Sequence, residues 1–259
     1  MASLAGEDVS FSKLGDLIEK DTVIAANLLH VVNSALYARR GTINSVRHAL
    51  SLLGMNKLRN AALGMSISRM WNQVVTPASW SMARFDMHSA AAAMLSDLLA
   101  QRVSVSYPEG AFVAGLLHDI GRLLIAVGLT EQYEQILDLH QGGGFPLLEC
   151  EQRVLGFTHP ELSAEALALW NLPEPIQTAV RGHHVPPSAS QTGDLPLSRL
   201  VQAADQYVNS IGISILLPPG GQGPAGPAVL PSLGLDARRI ESLIQEFNAE
   251  FEAMSSFFR

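Results

Sequence analysis

The spacing of the apolar residues is the feature that most constrains the fold of this chain. Apolar side chains recur three and four residues apart, as in Leu14, Leu17 and Ile18, and this is the period of an amphipathic helix. No run alternates apolar and polar residues over the length of a strand, and no Asn-Gly hairpin turn occurs. The sequence therefore predicts an all-α protein.

Composition narrows the class of protein further. The chain has 259 residues, of which 47% are hydrophobic and 16% are charged, so it can bury a core as one large domain or as two small lobes. A net charge of −7 argues against a general nucleic-acid surface. Arg, Asp, Gln or His interrupts each apolar run before the roughly 20 residues that span a bilayer. With a single cysteine, Cys150, and no signal-peptide pattern, we expect a cytoplasmic protein that does not insert into membranes.

Turn and capping residues divide the chain into four segments. Residues 1–76 are predicted to form an N-terminal helical lobe, in which Ser45 caps a helix that stops at Gly54 and Asn56 starts the next. A loop containing Pro77 leads into a second helical lobe, residues 77–216. Residues 217–231 are rich in Pro and Gly and are predicted to be a flexible loop.

The last segment, residues 232–259, is predicted to be an amphipathic helix. Leu243, Phe247, Phe251 and Met254 fall on one stripe. Such a stripe suits either a helix that packs back on its own domain, which we favour, or one that binds a partner.

An adjacent His118 and Asp119 are the best indication of chemistry. Imidazole nitrogen and carboxylate oxygen together suit divalent iron, manganese or zinc. Adjacent side chains on a helix point about 100° apart, so both reach one ion only near a helix end or beside small residues, and Gly115 and Gly121 flank the pair. The same dipeptide is also common as a buried histidine held by a neighbouring acceptor.

Further candidate ligands lie at wide spacings around this pair. Asp205 is a lone carboxylate on an apolar helix, where burial without a partner is costly, although it could instead bond a neighbouring backbone group. His183 and His184 follow Gly182 and equally suit a helix C-terminal cap. In a helical bundle such distant residues can converge. The full predicted metal-ligand set is His88, His118, Asp119, His159, His183 and Asp205.

These residues carry a resemblance to a known family. The order His88, His118-Asp119, Asp205 resembles the HD superfamily of metal-dependent phosphohydrolases, and the chain is most similar to its HDOD domains over roughly residues 12 to 211. In the N-terminal lobe the similarity includes Tyr37, the three-residue segment from Ile43 to Ser45 and the Leu-Leu-Gly turn that ends at Gly54. The resemblance implies two helical lobes, of which the second is an HD-type bundle.

HDOD domains are generally regarded as output or regulatory modules of bacterial signalling. The resemblance therefore implies a protein that binds a signalling partner or fused receiver domain, or a nucleotide, with a retained divalent-metal site. The alternative is a metal-dependent phosphohydrolase in which Arg122 or His184 contacts the phosphate. Cyclic-dinucleotide phosphodiesterases of the HD-GYP type differ in two respects: here the histidine pair runs into Val185 and two prolines, and Arg122 stands where they usually have Lys. A patch at Arg39, Arg40, Arg47, Lys57 and Arg59 could dock an acidic partner but also suits a solvated helix face.

Overall fold

The computed structural model describes residues 45–54, 74–186, 193–216 and 226–255, with a few isolated positions between Ile18 and Trp71. The chain divides into two compact units. One consists of residues 1–73 with 246–259, and the other of residues 74–245. All six predicted metal ligands belong to the second unit.

The described residues are helical and contain no β-strand, as the apolar spacing predicts. Their only β-type pairing is an isolated parallel bridge between Val105 and Leu195. The α-helices are α1 (Val46–Leu53), α2 (Met82–Ala100), α3 (Ala111–Leu117), α4 (Ile120–Gly128), α5 (Thr130–Leu137), α6 (Leu147–Leu155), α7 (His159–Leu169), α8 (Glu174–Arg181), α9 (Leu197–Ser210) and α10 (Ala237–Ser255). Shorter 3-10 helices span Pro108–Gly110 and Gly226–Leu233, and a π-turn spans Asp138–Gly142.

Helix α1 begins and ends where the sequence predicts. The Ser45 hydroxyl accepts a hydrogen bond from the backbone N–H of His48 at 3.2 Å, which is the N-cap contact. Gly54 follows the helix with φ of +79°, a conformation that glycine adopts without strain. The second helix predicted in this lobe, after Asn56, lies outside the described residues, as do the side chains of the predicted basic patch.

Close packing of α2 against α3 brings the first candidate ligands together. Ala90, Ala91, Ala92 and Ala93 are buried on α2, and small side chains let a neighbouring helix approach. A Cβ on Gly115 of α3 would lie 2.8 Å from the Ala92 carbonyl oxygen, so only glycine fits at this crossing.

The chain breaks its helix at the His118-Asp119 pair. Helix α3 ends at Leu117 and α4 begins at Ile120. The Ser163 hydroxyl of α7 holds the break, because it donates to the His118 carbonyl at 2.9 Å and accepts from the Gly121 N–H at 2.8 Å. The predicted helix end is therefore present, and it lets both side chains point toward one centre.

This break lies within the one described stretch that is apolar enough to cross a membrane. Within the 21 residues of Pro108–Gly128, an 18-residue window has a mean hydropathy of 1.6, and 78% of that window is buried inside the fold. As the sequence analysis expects, polar residues interrupt this stretch, namely His118, Asp119 and Arg122. The apolar residues of the stretch pack in the core, and they belong to two short helices with His118 and Asp119 between them.

The predicted loop at 217–231 is partly structured. Residues 217–225 lie outside the described part, but a 3-10 helix spans Gly226–Leu233, with Leu230 and Leu233 buried. Apolar side chains at these positions bury enough surface to order the end of a segment that its Pro and Gly content predicts to be flexible. Helix α10 then carries Leu243 and Phe247, both fully buried, whereas Phe251 of the predicted stripe is half-buried and the side chain of Met254 lies outside the described residues.

Candidate metal centre

The structure gathers all six predicted ligands into one buried cluster. Each residue is at most 5% exposed, although they come from separate elements. His88 lies on α2, His118 and Asp119 lie at the α3–α4 break, His159 begins α7, His183 follows α8, and Asp205 lies on α9. The cluster divides into two groups that share Asp119.

The first group consists of His88, His118, Asp119 and Asp205. Its ligand atoms all lie within 4.8 Å of one another. Asp205 Oδ1 is 3.2 Å from His88 Nε2 and 3.6 Å from His118 Nε2. Asp119 Oδ2 is 3.7 Å and 3.6 Å from the same two nitrogens. These distances leave a small space bounded by two nitrogens and two carboxylate oxygens.

The second group consists of Asp119, His159, His183 and His184, again within 4.8 Å. Asp119 Oδ1 lies 3.1 Å from His159 Nε2 and 3.6 Å from His183 Nε2. Neither Asp119 Oδ1 nor His183 Nε2 makes a hydrogen bond within the described structure, although both are buried. Since buried polar atoms are nearly always paired, these two atoms depend on the ionic contacts that Asp119 Oδ1 makes with the two imidazole nitrogens.

The ring orientation of each histidine determines which of its two nitrogens faces these spaces. A carbonyl oxygen only accepts, so an imidazole Nδ1 beside one must carry the proton, and the Nε2 of the neutral ring then presents its lone pair. Three rings have Nδ1 held in this way at 2.8, 2.8 and 2.6 Å: His88 by Ile213, His118 by Gly115 and His183 by Val180. Each of these rings therefore turns its Nε2 toward the carboxylates of the cluster, where the neutral ring offers a lone pair.

Glu151 is a site residue that the sequence analysis does not predict. It is 2% exposed on α6, and its carboxylate accepts from both His159 Nδ1 and the backbone N–H of His159 at 2.8 Å. A carboxylate that holds the far nitrogen of a histidine fixes its tautomer and raises its basicity as a ligand. In the sequence, the only sign of this role is that Glu151 is an acidic residue eight positions before His159.

The electrostatics of the cluster follow from burial opposed by close charges. Burial would raise the pKa of Asp119, but His118, Arg122 and His159 hold it well below its usual range. Burial would likewise lower the pKa of His159, but Glu151 and Asp119 raise it to about 9. Burial, with His183 and His159 nearby, lowers the pKa of His184 to about 2. The anionic carboxylates thus attract positive charge into the cluster.

Both predicted phosphate contacts lie beside the ligands. Arg122, 11% exposed, donates from Nη1 to Asp119 Oδ2 at 2.9 Å. His184 Nε2 lies 3.2 Å from His159 Nε2, which makes His184 a further potential ligand of the second group. The sequence analysis assigns His183 as a metal ligand and His184 as a phosphate contact, whereas the structure turns both rings toward this group.

The residues present fit divalent ions. Two buried spaces are lined by imidazole nitrogens and carboxylate oxygens, and two of the lining atoms make no hydrogen bond in the described structure. Such mixed nitrogen and oxygen sets suit iron, manganese and zinc.

Comparison with known proteins identifies the family. A family model for the HDOD domain matches residues 1–186. The chain belongs to the HDOD family. The fold agrees: an HDOD domain protein of unknown function from Geobacter sulfurreducens superposes with a TM-score of 0.77 at 24% identity, covering 99% of this chain and 88% of that one.

Two other solved structures share the fold of this HDOD domain. A protein provisionally named as a signal transduction protein, from Marinobacter aquaeolei VT8, has a TM-score of 0.73 at 22% identity and covers 99% of this chain and 57% of that one. A protein provisionally named as a phosphohydrolase, from Shewanella amazonensis SB2B, has a TM-score of 0.73 at 20% identity, with coverages of 99% and 90%.

One curated relative is similar in sequence. It is an uncharacterized protein of Treponema pallidum (strain Nichols), 23% identical over 200 residues, which cover 73% of this chain. The chain spans only 36% of the length of that relative.

Proposed function

We propose that this HDOD domain is a cytoplasmic output or regulatory module of bacterial signal transduction that binds divalent metal and acts by binding a protein partner or a nucleotide. Family membership and the signalling name of the Marinobacter neighbour support the module. The partner is a signalling protein or a fused receiver domain.

The convergence of acceptor atoms is the observation that carries the metal assignment. His88, His118, Asp119 and Asp205 would hold one ion. Asp119 would bridge to a second ion held by His159 and His183, with His184 beside it. Without a metal ion, the two buried carboxylates depend on protonated imidazoles such as His159 for positive charge, and a divalent cation would take the place of these protons.

Metal in this cluster would first stabilise the fold by linking separate helices. The ligands come from α2, the α3–α4 break, α7, the end of α8, and α9, so an ion joins elements that lie far apart in sequence. Binding to the folded state alone stabilises it through linkage. A bundle whose helices are tied in this way presents a fixed surface to a partner.

The alternative function is hydrolysis of a phosphodiester, such as that of a nucleotide. The sharing of Asp119 between two groups favours it, since two-metal phosphohydrolases use paired ions about 3.5–4 Å apart. A bound ion would polarise a phosphoryl oxygen as a Lewis acid. Arg122 would supply positive charge at the edge of the cluster. Two features argue against turnover: Arg122 is engaged by Asp119, and the histidine pair is followed by an exposed Val185 and Pro186.

Two measurements test these proposals. Elemental analysis of protein purified without chelator or metal-affinity tag gives metal per chain; one or two equivalents of iron, manganese or zinc are expected. Metal-free protein that also fails to take up added ions would contradict the site. Hydrolysis of bis-p-nitrophenyl phosphate by the loaded protein would favour the enzyme, whereas nucleotide binding without turnover would favour the module.

A further inference from the structure

The two candidate ion positions differ in what already holds their carboxylate oxygens. In the first group, the two oxygens that face the imidazole nitrogens both accept hydrogen bonds from residues that are not ligands. Arg122 Nη1 donates to Asp119 Oδ2 at 2.9 Å, and Asn209 Nδ2 donates to Asp205 Oδ1 at 2.6 Å. An ion in the first group would therefore share each of these oxygens with a protein donor.

The carboxylate oxygen that faces the second group has no such donor. Asp119 Oδ1 lies 3.1 Å from His159 Nε2 and 3.6 Å from His183 Nε2, and it makes no hydrogen bond within the described structure. Both neighbouring nitrogens are themselves candidate ligands. An ion in the second group would displace only protons on imidazole rings, and metal binding releases such protons.

The positive charge of Arg122 cannot be released in this way. A guanidinium stays protonated in proteins, whereas a histidine binds metal as the neutral ring. The Arg122 side chain is 11% exposed and that of Asp119 is 2% exposed, so solvent ions screen this pair only weakly. A positive charge therefore remains beside Asp119 Oδ2 when an ion enters the first group, and it repels that ion.

Asn209 provides a comparison within the same group. Its amide holds Asp205 Oδ1 without adding charge, and hydrogen bonds of this kind orient metal-bound carboxylates. An ionised carboxylate oxygen has more than one lone pair, so it can accept from an amide and still bind an ion. Because Arg122 is charged and Asn209 is neutral, the two donors should change the affinity of the first group in opposite directions.

The ion of each group would join different parts of the fold. His88 lies on α2 and Asp205 lies on α9, and the first group connects both helices to the α3–α4 break. The second group connects the break to α7 and to the turn after α8. Loss of the first ion alone would therefore remove the metal link of α2 and α9 to the break and leave the other link intact.

We propose that Arg122 makes the first group the weaker of the two ion positions, so that its occupancy follows the concentration of free divalent ion while the second group stays filled. This proposal rests on the metal centre of the proposed function and adds its regulation. The link of α2 and α9 to the break forms only when divalent ion is plentiful. Arg122 is thus a determinant of metal affinity.

Titration of the full chain with Mn²⁺ tests this proposal. The protein is stripped with chelator and dialysed, and the electron paramagnetic resonance signal of free Mn²⁺ then gives the number of bound ions and the affinity of each. The wild type should bind two ions whose affinities differ by about tenfold or more. Arg122→Gln removes the repelling charge and should tighten the weaker ion by about tenfold or more. Arg122→Lys retains the charge and should leave both affinities unchanged.

Three further variants assign the effect to the first group. Asp205→Asn should lose the weaker ion and keep the tighter one, and Arg122→Gln in that background should produce little gain. Asn209→Ala should weaken the weaker ion by about 10- to 100-fold, which is opposite to the effect of Arg122→Gln. Arg153→Gln removes an arginine that is 49% exposed and pairs with Glu149 at the surface, and it should bind both ions as the wild type does.

The outcomes separate this proposal from the metal centre itself. Two ions of equal affinity in the wild type, or loss of the tighter ion in Asp205→Asn, would overturn the proposal and leave the metal centre in place. So would an Arg122→Gln variant that binds the weaker ion no more tightly, since the guanidinium would then serve to orient Asp119. Arg122→Met removes the same charge, so either variant is a sufficient test. A chain that takes up no Mn²⁺ would overturn the metal centre and this proposal together.

Discussion

Replacement of Glu151 by Gln should weaken metal binding at one of the two groups. Glu151 holds His159 by two contacts, from Nδ1 and from the backbone N–H, both to Oε2 at 2.8 Å. His159 Nδ1 also lies 2.9 Å from Oε1; an amide has one acceptor oxygen, so with that oxygen in the Oε2 position its NH₂ group would face the Nδ1 donor. The substitution therefore removes the negative charge behind the ring and disturbs its orientation while leaving every predicted ligand in place.

The size of the effect follows from the interaction that is lost. Hydrogen bonds to charged groups contribute about 1.5–3 kcal/mol, compared with about 0.5–1.5 kcal/mol for neutral ones. The difference of roughly 1–2 kcal/mol corresponds to about a 5- to 30-fold change. Changes to the partner that orients a metal-bound histidine typically cost 10- to 100-fold in affinity. We therefore expect about a tenfold loss for the group that contains His159, and little change for the group of His88 and Asp205.

Competition with a chromogenic chelator measures this change for each ion. Glu149→Gln is the matched control, because Glu149 lies on the same helix, is 44% exposed and pairs with Arg153 at the surface. Surface pairs of this kind contribute about 0–1 kcal/mol, so the control should bind metal as the wild type does. Equal affinities in Glu151→Gln, Glu149→Gln and the wild type would refute the argument that Glu151 prepares His159 as a ligand.

Four further predictions concern the ligands, the packing and the metal. Asp119→Ala should abolish metal binding at both groups but retain most far-UV helicity; an unchanged metal content would show that the ligand assignment is wrong. Asp205→Asn should lose only the ion of the first group, and elemental analysis should show about half the wild-type metal. Gly121→Ala should destabilise by about 1–3 kcal/mol in urea unfolding, because its Cβ would lie 2.2 Å from the His159 carbonyl oxygen; Gly128→Ala on the same helix meets nothing within 4 Å and should be neutral or stabilising by up to about 1 kcal/mol. Addition of Mn²⁺ at 100 times its Kd to chelator-treated protein should raise the free energy of unfolding by about 2.7 kcal/mol, and no increase would argue against binding to the folded state.

The identity of the clustered residues could be predicted because ligand chemistry restricts residue type. Adjacent His118 and Asp119 require a helix end, and the chain breaks its helix between Leu117 and Ile120. A lone carboxylate on an apolar helix requires a partner, and Asp205 lies 3.2 Å from His88 Nε2. In each case a local physical conflict in the sequence is resolved by the arrangement of the cluster.

The contacts that orient the ligands could not be predicted, because most of them come from the backbone. Carbonyl oxygens of Ile213, Gly115 and Val180 set the tautomers of three histidines, and every residue type has a carbonyl oxygen. Glu151 resembles any other helical glutamate until the packing of α6 buries it. A sequence can therefore keep all six ligand types and still lose the site through changes that alter these supporting contacts. For this reason Glu151→Gln, in which every ligand is retained, tests the arrangement of the site more directly than removal of a ligand does.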